Sequence, residues 1–397
     1  MGGTISSNGP NLEKKSFDNL SHGLRIGSCE MQGWRSSMED AIIFLPDFDP
    51  KHNTSLFAIC DGHGGSIISK FVAENYPEIL YELSSYQNQN YEQALIEANI
   101  KLDELLCHKE VNKFLLKMNN SERIQNEFLS KQEANKNKEN KCKFISVKYN
   151  GVENFISNNI TLLHNSNKIN NQKYNSTSPD SENESDNSFD SDCENELYNN
   201  NITNDDVNNI NLNKFIANDM GTTANIVLIT PSHIYISNVG DSLSVMYKNN
   251  QAIQLNQEHK TTLKSEYDRI QKSGEFIINN RIKGKLNLTR AIGDFQFKSS
   301  PHLKFYEQSV IAFPEITKIK RTDDINYIIM GCDGVWDCVE KQGLCEEIDK
   351  ICNKEPNKML SNIISDIFNQ IISKTNNIPI GTDNMSCIVI QFCNKRT

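Results

Sequence analysis

The sequence predicts an α+β fold with its strands stacked as a sandwich. Three observations carry this. Short apolar or alternating runs bounded by Gly, Asp, Asn or Pro read as strands, and several come in adjacent pairs across short turns. That favours antiparallel pairing over a doubly wound sheet. Apolar side chains recurring every four residues mark helices separate from those strands. One long polar stretch fits neither pattern.

In chain order, the first apolar run is Ala41-Ile42-Ile43-Phe44, directly after Glu39-Asp40, and Ser55–Cys60 follows as a strand. Ile67–Leu83 reads as a helix broken or kinked at Pro77, which has no N–H to give it. Tyr91–Leu116 reads as another helix. Ala224–Thr230 and His233–Val239 pair across Pro231-Ser232, and Ile325–Gly331 is a further strand. Met359/Leu360, Ile363/Ile364, Ile367/Phe368 and Ile371/Ile372 lay one apolar stripe along a helix starting near Pro356. Met385–Phe392 is the last strand.

Residues 131–213 are the exception, with 23 Asn and very few aromatics. Within them Asp180–Glu196 carries eight acidic side chains and no Lys or Arg. Like charges repel and apolar surface is scarce, so folding could not offset the chain entropy. The segment is expected to be a disordered insertion. It reads as an inert spacer, or as a regulatory loop in which Ser181, Ser185, Ser188 and Ser191 sit among carboxylates. Without it roughly 310 residues remain, enough for one large domain.

The 397 residues carry 41 Lys+Arg against 51 Asp+Glu, a net charge of −10, which argues against a nucleic-acid partner. Hydrophobic residues make up 37% and mean hydropathy is −0.56, consistent with part of the chain staying outside the core. No run approaches the ~18 apolar residues of a membrane span, and no secretory leader is seen. The eleven cysteines are then expected in a reducing compartment, and none forms a Cys-x-x-Cys pair.

The aspartates fall at strand ends. Leu56–Cys60 runs into Asp61-Gly62-His63-Gly64-Gly65, Ile328–Cys332 into Asp333-Gly334, and Tyr235–Val239 into Gly240-Asp241. Asp383-Asn384 opens the last strand, and Glu39-Asp40 precedes the first apolar run. One Asp-Gly after a strand is most often a turn. Six such carboxylates held on rigid strand ends repel one another unless a cation sits among them. All-oxygen ligands suit Mg²⁺ or Mn²⁺ rather than Zn²⁺. Two such ions activate a water and stabilise phosphoryl oxygens in an in-line displacement. Arg35 offers a planar fork for phosphate oxygens, and His63 a proton for a leaving alkoxide. There is no Gly-x-x-x-x-Gly-Lys-Ser/Thr loop, and no Cys-x5-Arg spacing of a thiol phosphatase.

These segments resemble the metal-dependent protein serine/threonine phosphatases of type 2C, the PPM family. The resemblance lies in Met31–Asp40, Phe57–Gly65, Asn238–Ser242, Leu288–Phe295, Cys332–Asp337 and Asp383–Ser386, spanning about residues 22–393. It implies two stacked antiparallel β-sheets flanked by helices, an α-β-β-α sandwich, with a binuclear Mg²⁺/Mn²⁺ centre at one end. Asp61 would bridge both ions. Asp333 and Asp383 would complete one, Glu39 and the Gly62 carbonyl the other, and Asp40 would hold a metal-bound water. Asp241 with Asp333 would offer a weaker third site. Arg35 would grip the phosphate, His63 would be the general acid, and Glu258–Arg290 would form a mobile flap. Substrates would be phosphoproteins. The alternative is a catalytically silent relative serving as a binding or regulatory domain. Leu243, Met220 and Glu275 depart from the family pattern without removing a ligand.

Residues 1–21 read as a flexible arm ahead of the domain at 22–393. Gly2 with Ser6 fits the N-myristoylation pattern. A single acyl chain gives marginal membrane binding, so a cytoplasmic monomer with weak, reversible membrane attachment is expected.

Overall fold

The structure is a computed structural model that describes residues 5–6, 9–120 and 215–393. These belong to one unit, Met1–Ser121 with Asn211–Thr397. The expected insertion at 131–213 and Gly2 lie outside the described residues.

In chain order the main elements are β1 (Asn11–Ser21), β2 (Leu24–Gly33), β3 (Ala41–Asp49), β4 (Thr54–Cys60), α1 (Ile67–Glu82) and α2 (Tyr91–Leu106). Then come β5 (Ala224–Ile229), β6 (His233–Val239), β7 (Leu243–Lys248), β8 (Gln251–Gln254) and α3 (Lys264–Lys272). Last are β9 (Glu315–Lys320), β10 (Ile325–Gly331), α4 (Asp333–Trp336), α5 (Lys341–Lys354), α6 (Leu360–Ile371) and β11 (Met385–Phe392).

One sheet has six strands in the order β1-β2-β11-β10-β7-β8, the other five in the order β9-β6-β5-β4-β3. Every pairing within them is antiparallel. Leu24, Ile26 and Met31 of one sheet share a buried cluster with Phe57, Ile59 and Val227 of the other, so the two inner faces make one core. Helix α1 packs on β3 and β4, and α6 on β2 and β11, so helices flank both sheets. This is the expected α+β sandwich.

The strands read from sequence fall where expected, because β-branched runs buried on both faces leave little choice of conformation. The helices differ in detail. Helix α1 runs unbroken through Pro77. The buried Phe71, Val72, Tyr76, Ile79 and Leu80 hold both halves against the sheet, outweighing one lost backbone hydrogen bond. The Tyr91–Leu116 helix stops at Leu106, turns at Cys107-His108 and resumes over 109–120. The last helix begins at Leu360 rather than near Pro356.

The flexible arm expected over residues 1–21 is corrected for Asn11–Ser21, which form β1 against β2, with Lys15 opposite Glu30 and Phe17 opposite Ser28. Its side chains are mostly exposed, so this edge strand carries no apolar alternation to announce it. Farther back, Ile5 bridges to Arg35, and the Ser6 amide donates to the Trp34 carbonyl at 2.7 Å.

Candidate metal centre

Strand ends bring the carboxylates together. Asp61 leaves β4, Asp333 leaves β10 and opens α4, and Asp241 follows β6 at the turn into β7. One oxygen from each of these three lies within 4.8 Å of the others. A second trio, Asp40, Asp61 and the Cys332 thiol, is equally tight.

The environment disfavours so much negative charge. Burial, reinforced by Asp333, Asp40 and Asp241, pushes the Asp61 carboxyl well above the usual range. Asp333 is raised by burial and by Asp241 and Asp383. Burial lifts Asp40 to about 7 despite a hydrogen bond of 2.7 Å from Ser386 Oγ. Asp241 is also raised by burial, opposed by Lys260, and its Oδ2 is buried without a hydrogen-bond partner. Mutually repelling, buried oxygens with an orphaned acceptor among them fit hard divalent cations. The Cys332 thiol is pushed far up by burial and the nearby aspartates, so it stays protonated; its sulfur accepts from the Ser386 amide at 3.2 Å. A protonated thiol is a poor ligand.

Glu39 and Asp383 fall outside both trios. Glu39 Oε1 accepts from Ser37 Oγ at 2.9 Å and Oε2 from the Gly65 amide at 3.2 Å. Its segment lies against Gly62, where any Cβ would run into the Glu39 carbonyl. Asp383 Oδ2 accepts from Arg35 Nη2, and Oδ1 from the Asn384 amide at 2.8 Å. The Asp61 backbone is fixed in both directions by Thr223, whose Oγ1 receives the Asp61 amide at 2.9 Å and whose amide donates to the Asp61 carbonyl at 2.9 Å.

His63 Nε2 stands 2.5 Å from Asp294 Oδ2, and Asp294 is buried. Asp294 sits in the left-handed region at φ 57° and is tied by its amide to the Met220 carbonyl at 3.1 Å. Gly221 makes room for the pair: a Cβ there would lie 2.8 Å from His63 Nε2 and overlap the Asp294 carboxylate. Asp294 belongs to a motif visible in the sequence, but its role was not. Its signal was one more Gly-Asp, here in no long apolar strand.

The segment expected as a flap, Glu258–Arg290, contains α3 and a short hairpin, Ile277–Ile278 with Arg281–Ile282. It has its own small core around Ile270, Ile282, Leu286 and Leu288, shared with Phe297 and Val310. Its first residues reach the metal centre through Lys260, 3.4 Å from Asp241. No described helix is long and apolar enough to cross a membrane.

Comparison with known proteins identifies the family and the fold. The family model for protein phosphatase 2C matches residues 24–120 and 108–377. Probable protein phosphatase 2C 21 of Arabidopsis thaliana is 31% identical over 397 residues, covering 99% of this chain and 93% of the relative. Probable protein phosphatase 2C 3 of Paramecium tetraurelia is 27% identical over 383 residues, 96% of each. The fold is also that of a Toxoplasma gondii phosphatase, with a TM-score of 0.56 at 16% identity over 96% of both chains. A serine-threonine phosphatase 2C of the same organism gives a TM-score of 0.53 at 14% identity, over 96% of this chain and 99% of that one.

Proposed function

The chain belongs to the protein phosphatase 2C family and is a metal-dependent protein serine/threonine phosphatase acting on phosphoproteins, and on that premise we propose how its own residues divide the work. The close trio of Asp61, Asp241 and Asp333, the middle one buried, carries the reading. Asp61, Asp333, Asp383, Glu39 and the Gly62 carbonyl would hold Mg²⁺ or Mn²⁺, with Asp241 and Asp333 offering a weaker outer subsite. When bound, such ions supply an activated water and offset charge on the phosphoryl oxygens.

Asp40 orients the attacking water from its buried position under Ser386. Arg35 grips the phosphate, exchanging Asp383 for the substrate's oxygens. His63 protonates the leaving serine or threonine alkoxide, and Asp294 holds its ring in place. Every expected ligand position is filled, which favours an active enzyme over a silent binding domain. Asp61→Asn and Asp333→Asn test the reading. Both should fold and lose phosphate release, because each removes charge from a mutually repelling set. Wild-type turnover in either would overturn it.

Residues 11–393 form the catalytic domain, β1 included and interrupted by the Asn-rich insertion, and work as a cytoplasmic monomer. Gly2 accepts a myristoyl group that gives partial, reversible membrane attachment. The Gly2/Ser6 pattern supports this. Intact mass after co-expression with an N-myristoyltransferase decides it: an unmodified amino terminus sinks the anchor.

A further inference from the structure

We propose that Lys260 is a tethered cation of the outer subsite, competing with a divalent ion for Asp241 and so keeping that ion weakly bound. The inference rests on reading Asp61, Asp241 and Asp333 as metal ligands.

Lys260 Nζ lies 3.4 Å from Asp241 Oδ2. That oxygen is buried and has no hydrogen-bond partner, so the ammonium offsets its charge without saturating it. Nζ makes its hydrogen bond instead to Glu258 Oε1, at 2.8 Å. The lysine is not there by accident of a floppy side chain. Its neighbour His259 is stitched to the turn that carries Asp241: the His259 amide donates to the Gly240 carbonyl at 2.9 Å, and the Gly240 amide to His259 Nδ1 at 3.2 Å. Asn238 Nδ2 adds a hydrogen bond to the Gln257 carbonyl at 2.9 Å. The aspartate and the ammonium are thus presented by two segments bound to each other.

Lys260 also has somewhere to go. Its side chain is 30% exposed, beside a cleft of about 560 Å³ lined by Asn256, Gln257, Glu258, Thr262 and Glu315. A divalent ion arriving at Asp241 would drive the ammonium toward Glu258 and this cleft, and part of its binding energy would go into that displacement. A fixed positive charge a few ångströms from a dication in a half-buried site acts strongly on its affinity. An effect on the order of tenfold in Kd is expected, about 1.4 kcal/mol.

The test titrates the full chain, freed of metal, with MnCl₂ in a calorimeter. Wild type should show tight sites and a weaker outer one. Lys260→Met and Lys260→Gln should tighten the outer site by about tenfold and change the tight ones much less. Lys260→Arg should stay weak. Adding Asp241→Asn to Lys260→Met should abolish the tightened site. Gln keeps a polar tip and decides the matter should Met fail to fold. An outer site unchanged or weaker in the neutral variants, with tight sites intact, overturns the inference alone. No tight Mn²⁺ uptake by wild type would bring down the metal-centre reading, and this inference with it.

Discussion

His63 and Asp294 meet at 2.5 Å although 231 residues separate them in the chain. If the imidazole protonates the leaving group, His63→Gln should lower kcat on a phosphothreonine peptide by ~10²–10⁴-fold. An aryl phosphate, whose phenolate leaves unaided, should be affected far less. Asp294→Asn should show the same split between substrates in milder form, because it disturbs the ring's orientation and not the phosphate. Equal losses on both substrates would make the pair structural. The strand-end aspartates were legible because each interrupts an apolar run beside a glycine. Asp294, Lys260, Thr223 and Ser386 were not. Each matters through a partner that only the fold supplies, and no local spacing encodes that.

Among the elements, the segment Glu258–Arg290 is held by one buried carboxylate. Glu266 Oε2 accepts from Arg269 Nη1 at 2.7 Å and from Thr289 Oγ1 at 2.7 Å, and Oε1 from Arg290 Nη2 at 2.7 Å. Burial pushes Glu266 up, but the hydrogen bond from Arg290 and the charges of both arginines outweigh it and hold it at about 2. Its folded value lies below the ordinary 4.5, so its stabilisation is present above pH 4.5 and is lost as pH falls toward 2. Glu266→Gln should cost roughly 3–5 kcal/mol at pH 7, since two half-buried arginines lose their counter-charge. The gap in Tm between variant and wild type should narrow below pH 4. A pH-independent gap would contradict the account. The same contrast explains which elements could be read in advance. Strands β4, β5, β10 and β11 are each built on an apolar run, such as Ile226–Ile229 and Cys387–Ile390. Strand β1 is polar and exposed, and α5 buries only Leu344, Cys345, Ile348 and Cys352, with Gly343 in its first turn. Neither has a pattern strong enough to stand out.

At the scale of the molecule, the described residues stop at 120 and resume at 215. The two sides are pinned together: Asn112 Oδ1 accepts from the Ile216 amide at 2.9 Å. Closing that gap with a short linker costs little loop entropy. Deleting 131–213 should therefore keep phosphatase activity within a few-fold, measured as phosphate release from a phosphopeptide; loss of activity in a folded variant would make the insertion part of the catalytic unit. The expected flexible amino-terminal arm is corrected where β1 forms, because an edge strand needs only backbone pairing to β2 and no buried side chains of its own. Charge at the ends of β4, β6 and β10 is useful only with metal. The direct measurement is phosphate release from a phosphothreonine peptide by the full chain in excess EDTA, followed by back-titration with Mn²⁺. The account predicts no turnover in EDTA and full recovery on adding Mn²⁺, in wild type but not in Asp61→Asn. Undiminished turnover in EDTA would contradict it.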